Sequence, residues 1–164
     1  MQHSNRTGVA RNWGVFDFCN QVLQSAAELR DASCAVAMSL ASENVWLLEL
    51  RFCPVLHTLE GLTAAAAVDA VVSGLELARK KILKSKPFFA AGVIVCALRS
   101  YSEDHGVCMA ELAAKKLTPL VATWPKNSLP AIGVVGWDLA GDEGSFPLSR
   151  HKAGLLRAQV KVPR

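Results

Sequence analysis

Short, densely apolar runs recur along the chain: VWLLELRF (Val45–Phe52), AGVIVCALR (Ala91–Arg99) and AIGVVGWDLA (Ala131–Ala140). Each is brief and ends at a breaker or a charge, with Pro54, Arg99 and Gly141 as the stops. Such runs read as strands buried on both faces. Their starts lie about 40–47 residues apart, enough for one strand, one helix and two loops. Apolar strands alternating with helices of ten or more residues argue for right-handed βαβ units and a parallel sheet.

The intervening segments have helical periodicity. Val15, Phe16, Val22, Leu23 and Ala26 recur at helical intervals and predict a helix over Val15–Leu29. A second is predicted over Asp31–Ser42, with Asp31 as N-cap and Cys34, Ala35, Met38 and Ala41 on one stripe. Thr63 can cap a long helix from Ala64 to about Leu83. Further helices are expected from Ser102 or Glu103 to Lys116, and from Pro147 to Gln159. Residues 1–13 read as a flexible leader, and residues 117–130, with three prolines, as a long loop or insertion. The remainder, 14–160, is one domain in the order α-α-β-α-β-α-β-α.

Composition excludes several classes. Apolar residues make up 51% and charged residues 20% of the 164, which is not the make-up of a disordered chain. The net charge, 18 − 14 = +4, does not force a nucleic-acid or membrane partner. Arg79, Lys80, Lys81 and Lys84 cluster at a helix end, where cations complement the dipole. A nucleic-acid surface would interleave aromatics among them, and none is present. The longest uncharged apolar stretch, Pro87–Leu98, is shorter than the ~20 residues of a membrane span. The N-terminus has no apolar signal core. The five cysteines are odd in number and form no C-x-x-C pair, so buried reduced thiols and a cytoplasmic location are expected. His3, His57, His105 and His151 lack partners at metal-ligand spacing and read as surface or helix-flank residues. No phosphate loop, dinucleotide fingerprint or serine elbow occurs.

In parallel α/β proteins ligands meet the carboxyl ends of the strands. The charged residues there are Glu49 and Arg51 on the first strand, Arg99 on the second and Asp138 on the third, followed by Asp142 and Glu143 in the turn DLAGDE. Charges within apolar strands are costly unless paired, so Glu49, Arg51, Arg99 and Asp138 are expected to form an ion network at one mouth of the sheet, or to contact a ligand directly. Gly141 follows the third strand. Glycine there serves a plain turn or lets a ligand approach the backbone closely.

The strand blocks resemble the adenosine deaminase family. ENVWLLELRFCPVLHTLEGLT (Glu43–Thr63) is similar to the family block "YLELRFSPxxH…LT", and VDAVVSGLELARK (Val68–Lys80) to the helix after it. GVIVCALRSYSEDHG (Gly92–Gly106) resembles "LILCxxR", and GVVGWDLAGDEGSFPLSRHKA (Gly133–Ala153) resembles the "GxDLAGDE" block. The stretch NWGVFDFCNQVLQSAAELRDA is similar to the helical region upstream. The likeness covers about residues 12–155.

The resemblance implies a partial (β/α) TIM-type barrel, with three parallel strands that look like the family's second, third and fourth, and flanking helices. It implies hydrolytic deamination of adenosine, or a related purine nucleoside, to inosine and ammonia by a zinc-activated water. In that family the zinc ligands come from an H-x-H pair on strand one, a later His and an Asp near strand eight, and the general acid from an "HAGE"-like motif. This sequence has none of these, so the chain alone is expected to hold no zinc and to be inactive. The family role that can be carried over is that of Gly141, whose backbone N–H faces the purine ring. Residues 117–130 depart from the short connection of the family, and the chain stops where the family runs on to strand five, both suggestive of splicing boundaries. The competing readings are a non-catalytic α/β interaction or purine-binding module, and an unrelated α/β nucleotide-binding domain.

Overall fold

The computed structural model describes residues 15–86, 89–118 and 132–159. Helix α1 covers residues 15–22 and α2 covers Ala26–Ser42. Strand β1 (Leu47–Phe52) leads through a 3-10 turn, Pro54–His57, to α3 (Ala64–Ile82). Strand β2 (Ala90–Leu98) precedes α4 (Glu103–Lys115). Strand β3 (Val134–Ala140) is followed by a 3-10 turn, Leu148–His151, and α5 (Lys152–Gln159). The strands are parallel, in the order β1-β2-β3. The expected leader (1–13) and all but Leu117 and Thr118 of the expected loop (117–130) lie outside the described residues. Leu117 bridges Val134 in parallel, so the segment leaves α4 alongside β3.

The first two helices differ from the sequence expectation. Residues 23–24 interrupt the predicted helix, and α2 begins at Ala26, not after Asp31. The cause is a capping box. Ser25 Oγ accepts the Glu28 N–H at 3.2 Å, and Glu28 accepts the Ser25 N–H at 2.9 Å. Together they satisfy N–H groups that a helix start leaves orphaned. Gln24, 3% exposed, holds the break in place: its side chain donates to Leu56 O at 2.8 Å and accepts the Leu59 N–H at 2.9 Å. Thr63 caps α3 as the sequence predicts, and Ser102, one of the two expected starts of the next helix, is the N-cap of α4.

Side chains alternate across the sheet. Leu48, Leu50 and Phe52 of β1, Val93, Val95 and Ala97 of β2, and Val134, Trp137 and Leu139 of β3 belong to or pack on the core under the helices. Leu29, Ala37 and Ala41 of α2 join that core, with Val68, Val71, Leu75 and Ile82 of α3. The opposite sheet face carries Leu47, Glu49 and Arg51, which are exposed, with Gly92, Ile94 and Cys96 of β2 and Gly136 and Asp138 of β3 beside them.

Candidate functional site

The carboxyl ends of the strands carry two separate ion pairs in place of the expected four-residue network. Arg51 Nη1 lies 2.6 Å from Asp138 Oδ2, reaching from β1 across β2 to β3. Both residues lie on the open sheet face, and Cys96 pairs with Asp138 in register. Arg99 instead continues the alternation of Val93, Val95 and Ala97 and points to the helix side. There its Nη2 is 2.5 Å from Glu143 Oε1, and its Nη1 donates to Phe146 O at 3.3 Å. Glu49 joins neither pair. It aligns with Gly92, whereas Asp138 aligns with Cys96 four residues further along β2. At ~3.3 Å per residue this offset puts it beyond direct contact.

The two pairs differ in character. The Arg51 and Asp138 side chains are 56% and 35% exposed, so water screens their attraction. The Arg99 side chain is 8% exposed, and its Nε has no partner. A buried guanidinium needs a counter-ion, which the sequence supplies in the loop after β3.

That loop wraps around Arg99. The Arg99 N–H donates to Ala140 O at 2.8 Å, extending the ladder by one bond. Gly141 follows with φ +129°, a conformation L side chains rarely adopt, and a Cβ there would lie 3.3 Å from Arg99 Cβ. Its N–H donates to no backbone carbonyl among the described residues. Asp142 closes the turn, accepting the Gly144 N–H at 3.0 Å and the Ser145 hydroxyl at 2.5 Å. The Ser145 hydroxyl, then the Gly144 amide, hold the Asp142 carboxyl below its usual pKa.

The thiols here are buried and unreactive. Burial first, then the neighbouring Cys96, pushes the Cys53 thiol up to about 12. Burial and the Asp138 charge raise that of Cys96. Neither offers the thiolate that nucleophilic or metal chemistry requires. Cys34, Cys53 and Cys96 are buried and free, whereas Cys19 and Cys108 are exposed and free.

The histidines correct the sequence reading. His57 and His151 are 4% and 2% exposed, not surface residues. His57 Nδ1 lies 2.7 Å from Leu23 O, His151 Nε2 lies 2.9 Å from Arg99 O, and His105 Nε2 accepts the Leu98 N–H at 3.3 Å. Each ring thus has a backbone partner. Among the described residues no three of His, Cys, Asp and Glu are grouped to hold a metal ion, so these residues do not fit a zinc centre. Sequence reasoning also missed Gln24, and it placed Glu143 in the turn after the third strand without pairing it with Arg99. The S-x-x-E pattern at Ser25 could have located the first; no sequence signal assigns the second.

Comparison with known proteins decides the family. The family model described as "Adenosine deaminase" matches residues 1–158. The chain belongs to the adenosine deaminase family. It is 33% identical to an adenosine deaminase of Lactococcus lactis over 132 residues, covering 80% of this chain and 32% of that protein. It is 36% identical to one of Streptococcus agalactiae over 133 residues, 81% of this chain and 34% of that protein. The chain therefore spans about a third of the length of these deaminases. Among solved structures it resembles an Arabidopsis protein, ADAL, complexed with GMP (TM-score 0.67, 21% identity, 90% of this chain and 40% of that one). It also resembles a zinc-bound amidohydrolase from Burkholderia ambifaria (TM-score 0.65, 19% identity, 84% and 33%). At these identities the likeness shows the fold: three parallel strands and flanking helices, part of a TIM-type barrel. Among the described residues no helix is long and apolar enough to cross a membrane.

Proposed function

We propose that residues 14–160 form one domain, the sector of an adenosine deaminase-type barrel that presents Gly141 to a purine nucleoside. The family reaction is the hydrolysis of adenosine, or a related purine nucleoside, to inosine and ammonia. The observation that carries the reading is the Gly141 backbone: positive φ at the carboxyl end of β3, an N–H without a backbone acceptor among the described residues, and Arg99 Cβ 3.3 Å from where a Cβ would stand. A free N–H on a fixed turn is a suitable donor to a ring nitrogen. Arg99 holds the turn through Glu143 and Phe146, while Arg51 and Asp138 lie on the open sheet face. The H-x-H and "HAGE"-like motifs that supply zinc ligands and the general acid in this family do not occur in the sequence, which supports the reading that this chain alone neither binds catalytic zinc nor deaminates adenosine. The three buried free thiols suit a reducing compartment such as the cytoplasm.

The test is an adenosine titration followed by amide chemical shifts. Binding should move the Gly141 and Asp138 amides, and Gly141→Val should abolish the shifts. Because any side chain is strained at this φ, the wild-type mapping also stands alone. Saturable shifts confined to other parts of the fold, or none, would remove the purine-facing role of Gly141.

A further inference from the structure

The outer edge of β1 is complementary to itself. Among the described residues β1 is paired with β2 alone, so its other side is an open row of backbone groups. One hydrogen bond shows which residues form that row. Trp46 O accepts the Ala90 N–H at 2.9 Å, so Trp46 faces β2. Backbone groups alternate in direction along a strand. Leu48, Leu50 and Phe52 therefore face β2 as well, and Leu47, Glu49 and Arg51 turn their N–H and C=O groups outward. Glu49 and Arg51 are both exposed, carry opposite charges and stand two residues apart on the same sheet face. We propose that this edge pairs with the same edge of a second copy of the chain, antiparallel about a two-fold axis, with Glu49 of each copy opposite Arg51 of the other.

Charge selects this register. Outward-facing residues must oppose one another for an antiparallel ladder to form. Centring the axis on Glu49 sets two carboxylates face to face, and centring it on Arg51 sets two guanidinium groups face to face. Like charges directly opposite destabilise a sheet. Centring it on Leu48 puts Arg51 opposite Val45, whose N–H is already bonded to Leu40 O at 3.1 Å. Centring it on Leu50 matches both charges at once, and each Glu49–Arg51 pair then exchanges both backbone hydrogen bonds. Charges often guard a free edge against pairing; alternating in sign here, they fit a copy of themselves. Glu49 has no ion partner among the described residues. Arg51 would exchange Asp138 for Glu49 of the second copy, one water-exposed pair for another, which is nearly neutral. The apolar side chains agree. On the helix face Leu50 meets its own counterpart, and Leu48 meets Phe52. Leu50 and Phe52 are only partly buried, whereas Val93 and Val95 of β2 are fully covered, so the helix layer thins toward this edge. Because both copies use the same patch, the assembly closes at two chains. The pairing rests on the strand register and not on the deaminase reading.

The test is sedimentation of the full chain across a concentration series, which should show a reversible equilibrium between one chain and two. Glu49→Arg and Arg51→Glu each set like charges opposite at both pairs, and each should raise the dimer dissociation constant at least about tenfold. Mixing the two variants in equal amounts sets every charge against its opposite and should restore the dimer. A chain that stays monomeric at every concentration, a dimer indifferent to both variants, or a mixture that remains monomeric would overturn the proposal. So would growth past two chains, the result of β1 docking on β3 of the next copy. Should a variant fail to fold by circular dichroism, hydrogen exchange of the wild type decides. The Glu49 and Arg51 amides should gain protection as the chain is concentrated, and equal exchange at every concentration would refute the pairing.

Discussion

Replacing Gly74 by Ala tests the packing of α2 against α3 with a sign that runs against ordinary expectation. In an exposed helix interior, Gly→Ala stabilises by about 1 kcal/mol. Here a Cβ on Gly74 would lie 2.0 Å from Ser33 Oγ and 2.1 Å from Arg30 O. Carbon and oxygen approach to about 3.3 Å at closest, so α2 would have to move by roughly 1 Å. Ser33 can turn away only by giving up its bonds to Arg30 O (3.0 Å) and Val71 O (3.2 Å), and the Arg30 carbonyl cannot turn at all. Overpacking costs about 1–3 kcal/mol, and the lost Ser33–Val71 bond about 1 kcal/mol. Set against the propensity gain, the net destabilisation is about 1–3 kcal/mol, a Tm lower by roughly 2–4 °C per kcal/mol. Thermal and urea melts followed by circular dichroism measure it. Gly136→Ala is the control, since its Cβ would meet Ile94 at an ordinary 3.7 Å. A Gly74→Ala chain more stable than wild type would show that these helices do not cross at Gly74.

Three further outcomes are expected. Gln24→Ala strands the Leu59 N–H and the Leu56 carbonyl and should cost about 1–3 kcal/mol in urea unfolding; a change below about 0.5 kcal/mol would place Gln24 outside the junction. Asp138→Asn should cost no more than about 1 kcal/mol, because the Arg51 pair is largely exposed; a loss of several kcal/mol would restore the extended ion network. Burial depresses the pKa of folded His57, so its contribution is complete above the unfolded value of about 6.5 and is lost as pH falls through it toward the folded value. Urea midpoints should therefore drop between about pH 7 and pH 5, with a slope up to about 1.4 kcal/mol per pH unit from this residue, and His57→Gln should flatten the curve. An identical slope in the variant would mean that His57 is charged in the fold.

The strands were legible because short apolar runs between breakers are too brief for helices, but the expected burial on both faces describes β2 and not β1, whose Leu47, Glu49 and Arg51 are exposed. Thr63 was legible because a cap acts locally, through its own hydroxyl. The same rule marks Ser25, but apolar periodicity on either side of Gln24 conceals the break, which depends on contacts 32 and 35 residues away. The ion network failed on parity. Arg51 and Asp138 share a sheet face, while Arg99 falls on the other, a distinction that requires the register. Buried histidines were illegible for a related reason: a ring with one backbone partner leaves no spacing motif. Gly141 could be singled out from the DLAGDE block, but its backbone angle and the Arg99–Glu143 clamp come only from the folded loop.

Inosine release from adenosine by the purified chain, supplied with zinc, probes the account at its centre. The arrangement of Arg51, Arg99, Asp138 and Gly141 without a metal-holding cluster among the described residues leads us to expect no inosine above the buffer rate, with or without a chelator. Turnover that a chelator abolishes would mean that this third of the barrel builds the catalytic centre itself, and the division between a purine-facing sector and a separate metal-binding sector would be wrong.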